Sequence, residues 1–244
     1  MTLLEFTGCS LLGFGPTLSM FVLTVAGQPS RVIVFVTGSF FWLLSLLLAS
    51  FAWLLLVPLH HYSAPGVAIA VLSQECFRLL FFRVLHKAER LLNAVALTGS
   101  ENAMRSRLAF AYTAGLAFGA MSALFSLLGQ LTDALGPGTA SIFGGTPRRL
   151  SVVAVTAGTF SVLHVFWALV SFHALDTRQW SMLVFAPAAH VAASAAALFT
   201  PDGEYVIFVG ALCAVLAVSA AMAFHAAGGS AKNVAILFAR GSKG

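Results

Sequence analysis

Between Arg107 and Asp133 the chain runs from Leu108 to Leu131 without a single charged side chain. At 1.5 Å per residue, a helix over that run is long enough to cross a hydrocarbon core ~30 Å thick. Inside it stands Gly115-Leu-Ala-Phe-Gly119, and small residues continue through Ser122, Ala123, Ser126 and Gly129. Residues three and four apart are neighbours on a helix, so these small residues fall on one side and leave it nearly flat. Helices in lipid gain nothing by hiding apolar surface from equally apolar surroundings. Contact between them must come from tight van der Waals packing and polar links. The run is therefore expected to be the central packing helix of a membrane bundle.

Composition agrees. Of 244 residues 59% are hydrophobic and only 9% charged, and the mean hydropathy is +0.95. Soluble domains carry about 25% charge, which excludes an ordinary water-soluble enzyme. The net charge of +5 could signal nucleic acid. Here the charges sit mainly in links between apolar stretches, so membrane topology explains them better and no nucleic-acid partner is expected.

Apolar stretches divide the chain into seven candidate spans: 6–26, 32–57, 66–85, 108–131, 151–173, 180–199 and 205–227. The expected fold is all-α, a single seven-span transmembrane domain over 1–244. The first span is preceded by Glu5 and by no basic residue, unlike a signal peptide, so it is expected to be a retained helix. Gln28-Pro29-Ser30-Arg31 and His60-His61-Tyr62-Ser63-Ala64-Pro65 are the first two turns. A loop is expected from His86 to Arg107, with Lys87–Leu92 extending the helix into water or lying on the membrane surface. Gly136-Pro137-Gly138 and Gly144-Gly145-Thr146-Pro147 mark turns in the longest link. Asp176–Gln179 and Thr200–Glu204 close the last two connections.

With seven spans the links alternate between sides. One side receives Arg31, Arg83, Lys87, Arg90, Arg105, Arg107, Arg178, Lys232, Arg240 and Lys243; the other receives Arg148 and Arg149. Basic residues accumulate on the cytoplasmic side. This bias puts the N-terminus outside or in the lumen and the C-terminus in the cytosol.

Few residues at span depth carry chemistry. Cys9, Cys76 and Cys213 all fall within apolar spans, where an odd number argues against a disulfide framework and for small buried hydrophobes. The aspartates Asp133, Asp176 and Asp202 each sit at a link, so they supply no carboxylate dyad of the aspartyl-protease type. Glu75 is the only acid well inside a span, and Arg78 follows it at helical spacing. The two read either as a relay or substrate counter-charge, or as a pair that neutralises itself. With no second intramembrane acid to pass protons along, the structural pair is the stronger reading.

His164 and His190 can approach each other from the fifth and sixth spans. Zinc would want a third ligand, for which His173 is the candidate; plain packing and a partner contact are the alternatives. His86 and His225 lie near span ends and read as interface residues. Gly115 and Gly119 serve either internal packing or a partner subunit. No cofactor is expected.

Several stretches together resemble the anterior-pharynx-defective subunit family of gamma-secretase. They are Gly13-Phe-Gly-Pro16, Phe40-Phe-Trp-Leu43, Ser45-Leu-Leu-Leu-Ala-Ser50, Gln74-Glu-Cys-Phe-Arg78, Gly115-Leu-Ala-Phe-Gly119, Asp133-Ala-Leu-Gly-Pro-Gly138, Leu163-His-Val-Phe-Trp167 and Ala227-Gly-Gly-Ser230. The resemblance runs almost end to end, and it implies seven spans with a lumenal N-terminus. It also implies a non-catalytic scaffold that assembles with nicastrin, presenilin and presenilin enhancer. That complex cleaves single-span membrane proteins such as Notch and amyloid precursor protein, between the endoplasmic reticulum or Golgi and the plasma membrane. The family's small-residue motif maps to Gly115 and Gly119, with Ala123 where the family has a third glycine. Its two intramembrane histidines map to His164 and His190, associated there with presenilin binding and activity. Two other readings use the same residues. One is a seven-span zinc-dependent hydrolase built on His164, His173 and His190. The other is a small transporter or receptor centred on Glu75 and Arg78.

Overall fold

The computed structural model describes residues 3–59, 61–95, 100–135, 147–199 and 205–230. Within them the chain forms seven helices: α1 (Leu3–Thr24), α2 (Pro29–Leu55), α3 (Ser63–Val95), α4 (Ser100–Leu135), α5 (Pro147–Thr177), α6 (Trp180–Ala196) and α7 (Tyr205–Ala226). Short 3-10 turns at Val57–Leu59 and Ala197–Phe199 follow α2 and α6. Five stretches are long and apolar enough to cross a membrane: Leu4–Thr24, Pro29–Leu55, Arg107–Thr132, Leu150–Thr177 and Tyr205–Ala226. The protein is an all-α, multi-pass membrane bundle. α3 departs from that pattern because it carries Glu75, Arg78 and further cations, and α6 because it has only 17 residues.

Two boundaries differ from expectation. The segment between His86 and Arg107 is mostly helix: Lys87–Leu92 extends α3, one of the two arrangements expected for it, α3 runs on to Val95, and α4 already starts at Ser100. Lys87, Ala88, Glu89, Arg90, Leu91 and Leu92 are all strong helix formers, and no Gly or Pro interrupts them. α3 also begins at Ser63, inside the expected second turn. Pro65 then falls in its first turn, where a missing N–H costs nothing. The turn signals at 136–138, 144–146 and 200–204, and the turn residue His60, lie outside the described residues.

Helix ends are closed locally. Arg31 donates from Nη1 to the Thr24 carbonyl at 2.6 Å, so the cation opening α2 caps the C-terminus of α1. Just past α7 the chain turns at Gly228, whose φ of 85° is open to glycine; Gly229 N–H then bonds back to Phe224 O at 2.8 Å. Arg178 takes the same left-handed position after α5, with φ 57°.

The centre of the bundle is the α4–α5 pair, with α4 sharing the place expected for it alone. α5 also touches α1, α3, α6 and α7. The two helices run antiparallel: Gly115 faces Val165 and Ala168, and Gly119 faces Ser161. A Cβ on Gly115 would stand 2.6 Å from Val165 Cα and 2.7 Å from the His164 carbonyl oxygen. A Cβ on Gly119 would overlap the Ser161 backbone. Real Cβ atoms do not come so close, so each missing side chain admits a backbone.

The contact follows the row Ala111, Gly115, Gly119, Ala123, Leu127 and Leu131, which is buried along its length. A row of fourfold steps slants across a helix, so a partner that follows it crosses at an angle and leaves the residues beside it. Ser122 is accordingly only half-buried, and Ser126 and Gly129 are exposed, although all three belong to the expected flat face. α1 reaches α5 in the same way, with Gly158 against the Leu12 carbonyl. The cysteines also divide: Cys9 is buried, whereas Cys76 and Cys213 are exposed on the bundle surface. Lipid is as apolar as a core, so an apolar span does not by itself say which side chains face inward.

Gly119→Ala is expected to cost about 1–3 kcal/mol, because one methyl must force two backbones apart. The check is thermal unfolding in mild detergent against Gly15→Ala, whose Cβ would meet nothing within 4 Å. Identical melting of the two variants would refute the close contact.

Candidate functional site

Glu75, Arg78, His164 and His190 converge on one point in the bundle. Glu75 and Arg78 lie one turn apart on α3, and both are buried, at 7% and 2% exposure. Arg78 donates from Nη1 to Oε1 and Oε2 of Glu75 at 2.5 and 2.6 Å. Its second arm, Nη2, meets Nδ1 of His164 on α5 at 2.8 Å. A guanidinium has no acceptor, so Nδ1 of His164 must be the accepting nitrogen. Nδ1 of His190 on α6 lies 2.7 Å from Oε1 of Glu75 and donates to it. One carboxylate therefore holds α3 to α6, and one guanidinium holds α3 to α5.

Aromatic rings enclose these groups. Trp167, one turn beyond His164 on α5, stacks on His190 with centroids 4.5 Å apart. The two histidine rings meet edge to face at 5.1 Å. The Arg78 guanidinium lies over Phe118 of α4 and Trp167, at 5.6 and 5.9 Å. Trp167 donates from Nε1 to the Ser219 hydroxyl on α7 at 3.1 Å. Five helices, α3 to α7, thus contribute to one polar core.

This arrangement bears on chemistry directly. His164 and His190 are buried, at 0% and 2% exposure, and their Nδ1 atoms are directed inward at α3. His173 lies about 13 Å further along α5 than His164. Among the described residues no group of three or more His, Cys, Asp or Glu could hold a metal ion. The zinc-hydrolase reading has no ligand set among them. Glu75 is bonded to a guanidinium and an imidazole rather than to a second carboxylate, so it forms no proton-sharing dyad.

The roles of Trp167, Phe118 and Ser219 are not legible in the sequence as read above. Trp167 had a signal, its one-turn spacing from His164. A single serine in an apolar helix has none. A second polar cluster joins α3, α4 and α5 nearer their ends. There Arg107 donates from Nε to Glu89 Oε2 at 3.1 Å and lies 3.6 Å from Asp176. His86 stacks on Phe82 beside this cluster, while His225 is exposed on the last turn of α7.

Removing one partner of a buried ion pair strands the other. Glu75→Ala is expected to destabilise the bundle by about 3–5 kcal/mol, since both Arg78 and His190 lose their acceptor. The double variant Glu75→Leu/Arg78→Met removes both charges and is expected to recover most of that loss. Melting temperatures and membrane-fraction yields report it, and a Glu75→Ala protein as stable as the parent would contradict the pairing.

Comparison with known proteins agrees with this architecture. Residues 4–230 match the family described as Aph-1 protein. The chain is 36% identical over 233 residues to the Drosophila melanogaster protein named gamma-secretase subunit Aph-1, covering 96% of this chain and 97% of that one. It is 35% identical to the Homo sapiens gamma-secretase subunit APH-1B, with 96% and 93% covered. A gamma-secretase subunit APH1-like protein of Arabidopsis thaliana is 26% identical over 79% of this chain and 80% of its own. With a family match over nearly its whole length and relatives of this identity, the chain belongs to the Aph-1 family.

Proposed function

We propose that this protein is a non-catalytic scaffold subunit of a gamma-secretase complex. The observation that carries the reading is its full-length similarity to proteins named gamma-secretase subunits. Its partners are then presenilin, which supplies the catalytic aspartates, together with nicastrin and presenilin enhancer. The complex cleaves single-span membrane proteins such as Notch and amyloid precursor protein. The buried network supports a structural role: Glu75, Arg78, His164 and His190 direct their hydrogen bonds at one another, leaving no carboxylate dyad among them.

On this reading the mechanism is geometric. Ionised groups in lipid are costly unless paired, so α3, α5 and α6 are pinned wherever Glu75 and Arg78 find their partners. The outer faces of those helices are thereby set as surfaces against which neighbouring spans pack. All seven helices cross the membrane, with the N-terminus lumenal or extracellular and the C-terminus cytosolic, and the complex travels from the endoplasmic reticulum and Golgi to the plasma membrane. Arg31, Arg83, Lys87, Arg90, Arg107 and Arg178 support that orientation, since they cluster at helix ends that fall on one side.

Co-purification of the tagged chain in mild detergent tests the assignment, with presenilin, nicastrin and presenilin enhancer as the expected companions. Replacing both His164 and His190 by alanine is expected to reduce substrate cleavage by the complex on the order of tenfold, as two helices lose their links to α3. Undiminished cleavage at equal expression would show the histidines to be ordinary packing. Turnover of substrate by this chain alone would refute the scaffold assignment.

A further inference from the structure

A strip of side chains on α3 points away from the rest of the described bundle. Leu72, Cys76, Leu80 and Val84 follow one another at fourfold spacing, and all are exposed. On a helix that crosses a membrane such positions face lipid. The same strip changes character at Arg83, near the expected end of the span, and continues through Lys87 and Arg90, which are exposed as well. Among the described residues none of these three cations forms an ion pair. Glu89, the acid between them, is turned away and bonded to Arg107, leaving its side chain 11% exposed. Among the described residues the outward face therefore carries positive charge, and Arg107, paired with Glu89 and Asp176, adds none to it.

We infer that Arg83, Lys87 and Arg90 bind the headgroup of an anionic membrane lipid carrying more than one phosphate, with its acyl chains along Leu80 and Val84. Continuity of the strip is what selects a lipid. A soluble anion would use the cations alone, whereas here an apolar track leads straight into them. Height selects the headgroup. From Arg83 to Arg90 the helix rises about 10 Å, while the headgroup layer is roughly 5–8 Å deep on each side. A single phosphodiester reaches the lower cations only. A phosphorylated inositol ring projects further and presents phosphates at two levels, matching the spread of Arg83, Lys87 and Arg90. Arg83 and Lys87 have long apolar stems and can reach the phosphate plane from a helix that is otherwise leaving the membrane. That the leaflet is the cytosolic one rests on the orientation proposed above; recognition of the headgroup does not.

The experiment uses the purified full chain in mild detergent at about 0.1 M salt, titrated with a dioctanoyl phosphatidylinositol bisphosphate. Saturable binding is expected. Arg83→Gln/Lys87→Gln/Arg90→Gln is expected to weaken it on the order of a hundredfold, from the attraction typical of three juxtamembrane cations. Lys87→Gln alone is expected to weaken it about fivefold, which keeps the test informative if the triple variant folds poorly. The charge-preserving Arg83→Lys/Lys87→Arg/Arg90→Lys is expected to stay within about threefold of the parent. Soluble inositol trisphosphate, lacking acyl chains, is expected to bind at least about tenfold more weakly. Equal binding by the triple variant, equal binding of the soluble headgroup, no saturable binding, or coverage of the strip by a protein subunit would each overturn the assignment. Labelling of Lys87→Cys in intact cells reports the orientation separately, so an error there leaves the binding result standing.

Discussion

Two backbones touching is the condition on which the rest of this bundle depends. Where α4 lacks side chains at Gly115 and Gly119, α5 comes close enough for its own backbone at Ser161, His164 and Val165 to fill the space. In lipid that closeness is the main source of attraction, since no hydrophobic drive separates helix from solvent. It also has a consequence for the polar core. Gly115 seats against the carbonyl of His164 itself, so the small-residue row sets the height and rotation of the side chain that accepts from Arg78.

The charges work in the opposite sense, by the cost of leaving them unpaired. Glu75 and Arg78 satisfy each other within α3, yet a pair confined to one helix would still have spare donors and acceptors in a dry interior. His164 and His190 take one each, from different helices. Close packing thus brings the elements together without regard to one another's polarity, and the network then rejects every rotation that strands a charge. Phe118 and Trp167 complete the enclosure through their ring faces. Such a core holds shape, which is what a subunit needs if its outer surfaces position other chains.

α3 joins the polar core to the Glu89–Arg107 cluster nearer its end. Its inner face carries the ion pair, its outer face carries exposed apolar side chains, and beyond Arg83 it continues to Val95 as a helix rather than a loop. The inward turn of Glu89 toward Arg107 separates the charges by sign: paired on the inside, positive on the outside.

Periodicity and charge spacing alone determined much of this protein. A charge-free run between Arg107 and Asp133 had to be a membrane helix, the other apolar runs followed, and Glu75 with Arg78 had to share a face because helical geometry leaves them no choice. The resemblance carried by runs such as Gln74-Glu-Cys-Phe-Arg78 points to the same family that full-length comparison established. Tertiary structure decided what one-dimensional spacing does not encode. Which neighbour lies against a given face of α4 depends on the crossing of α5, so Ser126 and Gly129 left the contact that Gly115 and Gly119 kept. Cys76 and Cys213 faced outward because lipid and protein interior are equally apolar. And the meeting of Glu75 with His190, or of Trp167 with Ser219, joins residues far apart in the chain, so only the packed bundle could bring them within reach.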